Sequence, residues 1–565
     1  MFNATLSYDI TSWLKLTGRA RIDNSNTIST DNKYATTNTT LTGGSLYGHM
    51  NNKESHDYQT YADVLLVANK RINEFTINAN AGASISDMQH HSFEVAGALR
   101  SDGLPNVFVV GQIRDDAVSR GISDWREQTQ SVFGSFELGW KGAIYLTATA
   151  RNDWPSQLAG PHSDKSSFFY PSVGASVVLS QLIPMPKQIQ FLKLRGSWAQ
   201  VGLPFKRYIA NPTYAWDSSS KAWETSKNYP MYNLLPENTD SWEAGLTFKG
   251  FNGFSFDISY YDAVTYNQTF NSKLSVSSGY TNLYVQTGSV RNNGIELTTG
   301  YEREWKHFNF STDVTFSHNH NVVEKLMEGY VHPETGAIVS LKELNMGGHG
   351  SARFILRPGG TLGDLYTNAD LARDENGDIL VDKDGKISRA ATDEYKLLGS
   401  VFPEANIGWN NNFELYGVNF GFLLSARIGG IVYSATQSYL DNFGVSEVTA
   451  AARDLGYVQA GKYTIDPQNW YTVISNSDGL PQYYCYDATN VRLSEAHIGY
   501  TIPRKVFGDK CDLNISVVGR NLLMIYCKAP FDPESMAASG NYYQGIDYFM
   551  VPSTRNLGLS LRLKF

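Results

Sequence analysis

The sequence predicts an all-β protein, specifically a transmembrane antiparallel β-barrel, on three observations. Apolar and polar residues alternate along many segments, which is the period of a strand with one greasy and one polar face. Short and long connections between those segments alternate along the chain, the asymmetry of outer-membrane barrels with tight periplasmic turns and long external loops. Aromatic residues make up 13% of the chain, with 34 Tyr, beside 49 Gly. Charged residues are only 18%, below the quarter or so usual for soluble proteins. No run approaches the roughly 18 apolar residues of a membrane helix, and a mean hydropathy of −0.32 is what half-polar strands give.

The clearest segment is the last, Asn556 to Phe565. Leu557, Leu559, Leu561, Leu563 and Phe565 fall on one side, and Gly558, Ser560, Arg562 and Lys564 on the other. In a barrel the first side meets lipid and the second the lumen. From the start, Phe2–Ile10 and Leu14–Ile22 alternate in the same way across a short break, followed by a polar stretch, Asp23 to Asp57, read as a loop. Strands follow at Tyr58–Arg71 and Phe75–Ser86, then a long segment to Arg126, then Ser131–Trp140 and Ala143–Asn152 about a Lys141-Gly142 turn. Further pairs are Phe168–Ser180 with Phe191–Val201, Ser241–Lys249 with Phe254–Tyr266, and Gly294–Tyr301 with Phe308–Ser317. After an excursion from Asn319 to about Pro403 come Ile407–Leu415 and Val418–Ile428 about Tyr416-Gly417, and then Asn490–Tyr500, Leu513–Arg520 and the terminal strand. An outward Arg at mid-membrane costs about 2–4 kcal/mol, so Arg19, Arg21, Glu137, Asp257, Asp313 and Arg427 are expected to line the lumen.

The count is about seventeen strands, and single-chain barrels of this class have an even number. With the terminal strand ending in the periplasm, loop parity makes the first strand begin at the outer face. Met1 to Thr5 also opens without a basic, apolar leader. The reading therefore expects residues 1–565 to be the C-terminal part of a barrel.

Several stretches resemble the SusC/RagA family of TonB-linked outer-membrane transporters: ARNDWPS (Ala150–Ser156), FYPSVGASVVLS (Phe169–Ser180), LKLRGSWAQVG (Leu192–Gly202), VRNNGIELTTGY (Val290–Tyr301), ATNVRLSEAHIGYTIP (Ala488–Pro503) and GRNLLMIYCKAPFDPES (Gly519–Ser535). The resemblance implies an outer-membrane barrel of 22 strands, of which roughly 17 would be present. It also implies a plug, a carboxypeptidase-regulatory-like N-terminal domain and a signal peptide outside this sequence, a SusD-like surface lipoprotein as lid, and energy from TonB-ExbB-ExbD. Substrates of the family are oligosaccharides or peptides. Two other readings fit the same residues: a surface glycan-binding or adhesin barrel that moves nothing, and a soluble all-β glycan-active protein.

Candidate chemistry is sparse. Net charge is −8, which argues against a nucleic-acid partner. Asp374, Asn376 and Asp378 have the spacing of a calcium loop, with Asp382 and Asp384 beyond. However, Gly377 falls between the ligands and Ile379 takes the place of the required glycine. Two tight turns built on Asn-Gly and Asp-Gly explain the same residues, with calcium as the alternative and no other cofactor implied. His318 and His320 lack a nearby carboxylate or cysteine for zinc, and the adjacent His90 and His91 point to opposite faces. Cys485, Cys511 and Cys527 show no C-x-x-C spacing. Neither a G-x-S-x-G elbow nor an H-E-x-x-H helix is present, so no enzyme activity is expected. Trp154, Trp216, Trp223, Tyr229, Tyr232 and Trp470 lie in expected external loops, where their faces suit stacking on sugar rings or packing within the loops.

Overall fold

The computed structural model describes residues 1–565 apart from 212, 218–220, 225–226, 230, 274–278, 287, 332–335, 337, 539, 541–542 and 565. Phe565, the expected terminal aromatic, lies outside the described residues. Seventeen long strands build an antiparallel sheet. They are β1 (Phe2–Thr11), β2 (Leu14–Lys33), β3 (His49–Ile72), β4 (Phe75–Ala98), β5 (Ser119–Trp140), β6 (Ile144–Pro155), β7 (Phe168–Val178), β8 (Ile189–Leu203) and β9 (Glu237–Gly250). The remainder are β10 (Phe254–Tyr266), β11 (Ser289–Glu304), β12 (Phe308–Lys325), β13 (Ala405–Leu415), β14 (Val418–Ile428), β15 (Asn490–Ile502), β16 (Asp512–Cys527) and β17 (Asn556–Lys564). Every segment expected from alternation is one of these strands.

The chain divides into two compact units. The first comprises Met1–Val173, Val201–Thr213 and Tyr232–Pro236, and strands β1 to β6 pair within it in chain order. The polar stretch from Asp23 is not a loop here. β2 and β3 stay in register from Leu14↔Ala68 to Lys33↔His49, and β4 and β5 run on to Ala96↔Ser119. The alternation that marks a strand fades in these extensions because neither face meets lipid there. The Thr, Ser and Asn residues leave the ladder hydrogen bonds unaffected, so pairing continues where the pattern stops. On one face of β5, Trp140, Leu138, Phe136, Gly134 and Val132 give way to Gln130, Gln128, Arg126 and Asp124, and that change marks the end of the apolar belt.

The second unit comprises Gly174–Gln200, Tyr214–Met231 and Glu237–Phe565, with β9 to β17 paired in chain order. Short turns close hairpins in both units. At Lys141–Gly142 and Tyr416–Gly417 both residues have positive φ (54° and 65°, 49° and 85°). This left-handed pair matches the twist of the flanking strands, and glycine adopts it without strain. Aromatic rings under cations mark this end of the strands: Lys70 over Trp13, Lys141 over Trp140 and Arg303 over Trp305. Such amphipathic pairs suit a membrane–water boundary.

In the second unit the long connections fold together. Strands Leu344–His349, Ala352–Leu356, Asp364–Leu371 and Arg389–Ser400 make a four-stranded sheet, and Ile431–Ser434, Cys485–Asp487 and Ile546–Asp547 a three-stranded one. Helices α1 (Ala435–Asn442), α2 (Glu447–Leu455) and α3 (Pro467–Ile474) start on Ser434, Ser446 and Asp466, each side chain accepting from a first-turn N–H. Phe354, Leu365, Val401, Tyr433, Ile465, Ile474, Leu480 and Ile546 pack into one buried core. Trp470 is part of it, 9% exposed and edge-on to Tyr483 at 5.7 Å. Its faces are covered by protein, so of the two readings open at Trp470 the structure shows packing within the loops, and sugar stacking is set aside. Arg492 ties the following segment to β15, donating to Asp532 at 2.9 Å and to Asn490 at 3.0 Å.

Two outcomes follow from these placements. Leu561 is exposed on the belt face of β17, whereas Arg562 lines a polar lumen recess with Glu414, Asn514 and Lys564. Leu561→Arg should therefore cost about 2–4 kcal/mol and block membrane assembly, while Arg562→Leu assembles, as read by heat-modifiable migration on gels. Equal assembly of the two would reverse the face assignment. Trp470→Ala should cost about 3–5 kcal/mol and shorten the protease half-life of the loop layer, while Trp216→Ala stays within about 0.5 kcal/mol.

Candidate functional site

The polar face of the sheet carries a ladder of paired groups. In the first unit Arg19 donates to both oxygens of Asp63 at 3.0 and 3.1 Å, and Asn78 donates to Glu137 at 2.9 Å. Arg151 donates to Asp153 at 2.8 Å, and Tyr170 caps the other oxygen of Asp153 at 2.6 Å. In the second unit Arg195 makes a two-pronged contact with Asp257 at 3.0 and 2.9 Å, and Arg520 meets Glu495 at 3.0 Å. Arg21 lines a recess of about 380 Å³ with Asn3, Arg19, Asp23, Gln59 and Tyr61. Asp313 lines another of about 460 Å³ beside Ser255 and Gly300. Arg427 is buried at the end of β14, where it donates to the Val401 carbonyl at 2.6 Å. The six expected lumen residues thus share the polar face of their strands. Arg19, Arg21, Arg151, Arg195 and Arg520 stand in ion pairs on this face, while Glu137 meets an amide and Arg427 a carbonyl.

The loop aromatics separate. Trp154 sits opposite Gln130 and on the face of Leu146, Phe136 and Val132, which places it at the edge of the apolar belt. Strand parity turns it away from the polar face, the placement of a boundary aromatic. Trp216 and Trp223 come together: the hairpin of Ala215–Asp217 and Ala222–Glu224 sets them directly opposite. Their rings are 5.6 Å apart at 70°, and they stay 54% and 68% exposed. Tyr229 meets Tyr280 edge-on at 5.2 Å, and Tyr232 stacks on His162 at 4.2 Å, so these two serve packing within the loops.

A second exposed aromatic group was not visible in the sequence, because three distant loops supply it. His349 lies 4.7 Å from Tyr548 and 6.2 Å from Tyr439, and Phe549 stands 5.4 Å from Tyr548 and 5.7 Å from Tyr439. The turn that presents His349 requires glycine. At Gly348 (φ 154°) an added Cβ would lie 2.1 Å from the Ala352 carbonyl oxygen, and at Gly350 (φ 57°) 1.5 Å from that of Ser477. On the other side, Ser434 donates to Asp547 at 2.6 Å, and the Phe549 N–H donates to Thr436 at 2.6 Å. Burial of the His349 ring pushes its pKa below the ordinary histidine range. The only signals in the sequence were the Gly-Gly-His-Gly run and Tyr548-Phe549, and neither shows which loops meet.

The acidic loop resolves into two turns. Asp374 Oδ1 accepts from the N–H groups of Asn376 and Asp378 at 2.9 and 3.0 Å, and Asp382 Oδ1 accepts from Asp384 and Lys386 at 2.9 and 2.8 Å. Gly377 and Gly385 have φ of 84° and 76°, and Asp378 pairs with Lys462. These bonds account for the aspartates as turn formers. His318 donates from Nδ1 to the Glu404 carbonyl oxygen at 2.5 Å, and His320 is exposed. Cys485 is half-buried, and desolvation pushes its thiol up to about 12; the three cysteines are free thiols.

A family profile described as TonB dependent receptor-like, beta-barrel matches residues 1–473. The chain is 23% identical over 93% of its length to TonB-dependent receptor P3 of Formosa agariphila, covering 54% of that protein. It is 23% identical over 66% of its length to TonB-dependent receptor SusC of Bacteroides thetaiotaomicron, covering 38% of it. Among solved structures, the RagAB peptide transporter superposes with a TM-score of 0.74 over all of this chain and 61% of that one, at 16% identity. The chain spans about half the length of the curated relatives it matches. It belongs to the TonB-dependent receptor-like β-barrel family of outer-membrane proteins and resembles the SusC/RagA type within it.

Proposed function

We propose that residues 1–565 form barrel wall and external loops of a SusC-like importer that takes up oligosaccharides, as part of a longer chain carrying the plug and the TonB-contact parts. A SusD-like lipoprotein over the loops and TonB-ExbB-ExbD beneath the plug complete the assembly in this reading. The observation that carries it is the Trp216–Trp223 pair, two indoles held opposite each other and left open to water. Aromatic faces of this size are costly to expose and suit the C–H face of a sugar ring. This role is transport and not catalysis, in keeping with a family of receptors and transporters.

Peptides are the second substrate class, and the relative named as a peptide transporter favours them. Tryptophan fluorescence of the full chain in detergent, titrated with neutral oligosaccharides and with peptides of matched length, decides between them. Oligosaccharide binding is expected to weaken about tenfold, near 1.4 kcal/mol, in Trp216→Ala or Trp223→Ala. Binding of peptides alone, or indifference to both substitutions, would reject the oligosaccharide reading. Surface binding without uptake by cells carrying the longer chain would favour an adhesin.

A further inference from the structure

Apart from the Trp216–Trp223 pair, the loop layer of the second unit holds the aromatic group around His349, which has no part in the reading above. This group begins inside the loop core and ends in water. Tyr433 is buried, and its ring lies 6.4 Å from that of His349. His349 and Tyr439 are half-buried, and Tyr548 and Phe549 are 44% and 56% exposed. The last two rings stand 5.4 Å apart at 73°, so they make an open corner. Tyr543 is exposed too, and its hydroxyl lies 3.5 Å from where a Cβ on Gly347 would stand.

The corner is held against backbone strain. Phe549 and Tyr543 have φ of 50° and 67°, a left-handed conformation that is an outlier for bulky side chains. Such strain persists only where the surroundings over-determine it, and it gathers at binding sites. Here Tyr433 and Ser434 pair with Ile546 and Asp547 in a short parallel ladder. Ser434 donates to Asp547 at 2.6 Å, and the Phe549 N–H donates to Thr436 Oγ1 at 2.6 Å. What these bonds hold in place is an exposed ring, so core packing does not explain the strain.

Polar atoms at the corner are unengaged by protein. Among the described residues the hydroxyls of Tyr543 and Tyr548 have no hydrogen-bond partner, and neither has the buried Nε2 of His349. An unpaired buried polar atom costs about 1–3 kcal/mol, and folded proteins keep few of them. Burial of the imidazole, with Arg353 near it, favours the neutral ring. Asp547, on the same segment, is buried and engaged by Ser434. The corner therefore offers apolar faces with uncharged polar tips.

We infer that the Tyr548–Phe549 corner is a second glycan subsite, which takes one sugar ring of a neutral oligosaccharide by its C–H face while sugar hydroxyls bond the phenol oxygens of Tyr548 and Tyr543. This rests on the oligosaccharide reading above and adds a place where a further sugar of the cargo is held. A tyrosine suits such a ligand because its body is apolar and its tip is polar, as a sugar ring is apolar on its faces and polar at its rim. Few, fixed polar groups around apolar walls are the usual make-up of a small-ligand site.

The test is isothermal titration calorimetry of the full chain in detergent with neutral gluco-, xylo- and manno-oligosaccharides and with peptides of matched length. Phe549→Leu keeps the apolar bulk and loses the aromatic face, and Tyr548→Ala loses ring and hydroxyl. Each is expected to weaken oligosaccharide binding about three- to tenfold, and Phe549→Tyr to bind as wild type does. Both side chains are exposed, so heat-modifiable migration and an unchanged protease half-life of the loop layer confirm that the variants are folded. If Trp216→Ala weakens oligosaccharide binding while Phe549→Leu and Tyr548→Ala leave it unchanged, the second subsite is overturned and the oligosaccharide reading stands. If no oligosaccharide binds the wild type, both fall. Peptide binding that depends on Phe549 would assign the corner to peptides and overturn the glycan subsite.

Discussion

A chain that crosses lipid has no water to satisfy its peptide groups, so each N–H and C=O must find a partner within the protein. The antiparallel ladder meets that demand, and it fixes much else at the same time. Once Leu14 is set against Ala68 and the register holds to Lys33 against His49, every side chain on β2 and β3 has an assigned face and height. Side chains then differ in environment by row: lipid, lumen or water. The outward leucines of β17 and the Arg19–Asp63 pair are consequences of one ladder met at different faces.

The strands within the lipid were legible because two solvents act on the two faces of the same segment. Lipid selects Leu, Val and Phe at alternate positions, and the lumen selects Asn, Thr and Arg between them, so the period of two is written into β1, β10 or β14. The extensions of β2 to β5 lost that contrast because lipid no longer covers one face, and at their far end Met50 and Val95 pack instead against loop residues such as Ile113 and Phe108. A stretch such as Asp23 to Lys33 then carries only weak strand preference, and the hydrogen bonds that hold it are invisible in composition. Tight turns were legible for a local reason: Lys141-Gly142 and Tyr416-Gly417 need positive φ, and glycine records it.

Sites were less legible, because they depend on register and on contacts between distant loops. Trp154 and Trp470 read as exposed loop aromatics, yet parity sends the first to the membrane boundary, and the loop core takes the second. Trp216 and Trp223 did come together, six to eight residues being enough for a hairpin to close without help from elsewhere. His349, Tyr439 and Tyr548 met only because two small sheets and three capped helices bring their loops into one layer. For Asp374 and Asp382 the turn reading follows from hydrogen bonds to their own backbone, the local competition that makes aspartate a turn residue.

Charge on the lumen face follows from the same geometry. An arginine on that face of a strand reaches the neighbouring strands, where Asp63, Asp257 or Glu495 stands in range. Pairing lowers the cost of placing charge beside lipid-backed, low-dielectric walls, where an unpaired ion is expensive. It also removes the single-sign field that would attract or repel ions along the passage. Arg19, Arg195 and Arg520 each meet a carboxylate in this way.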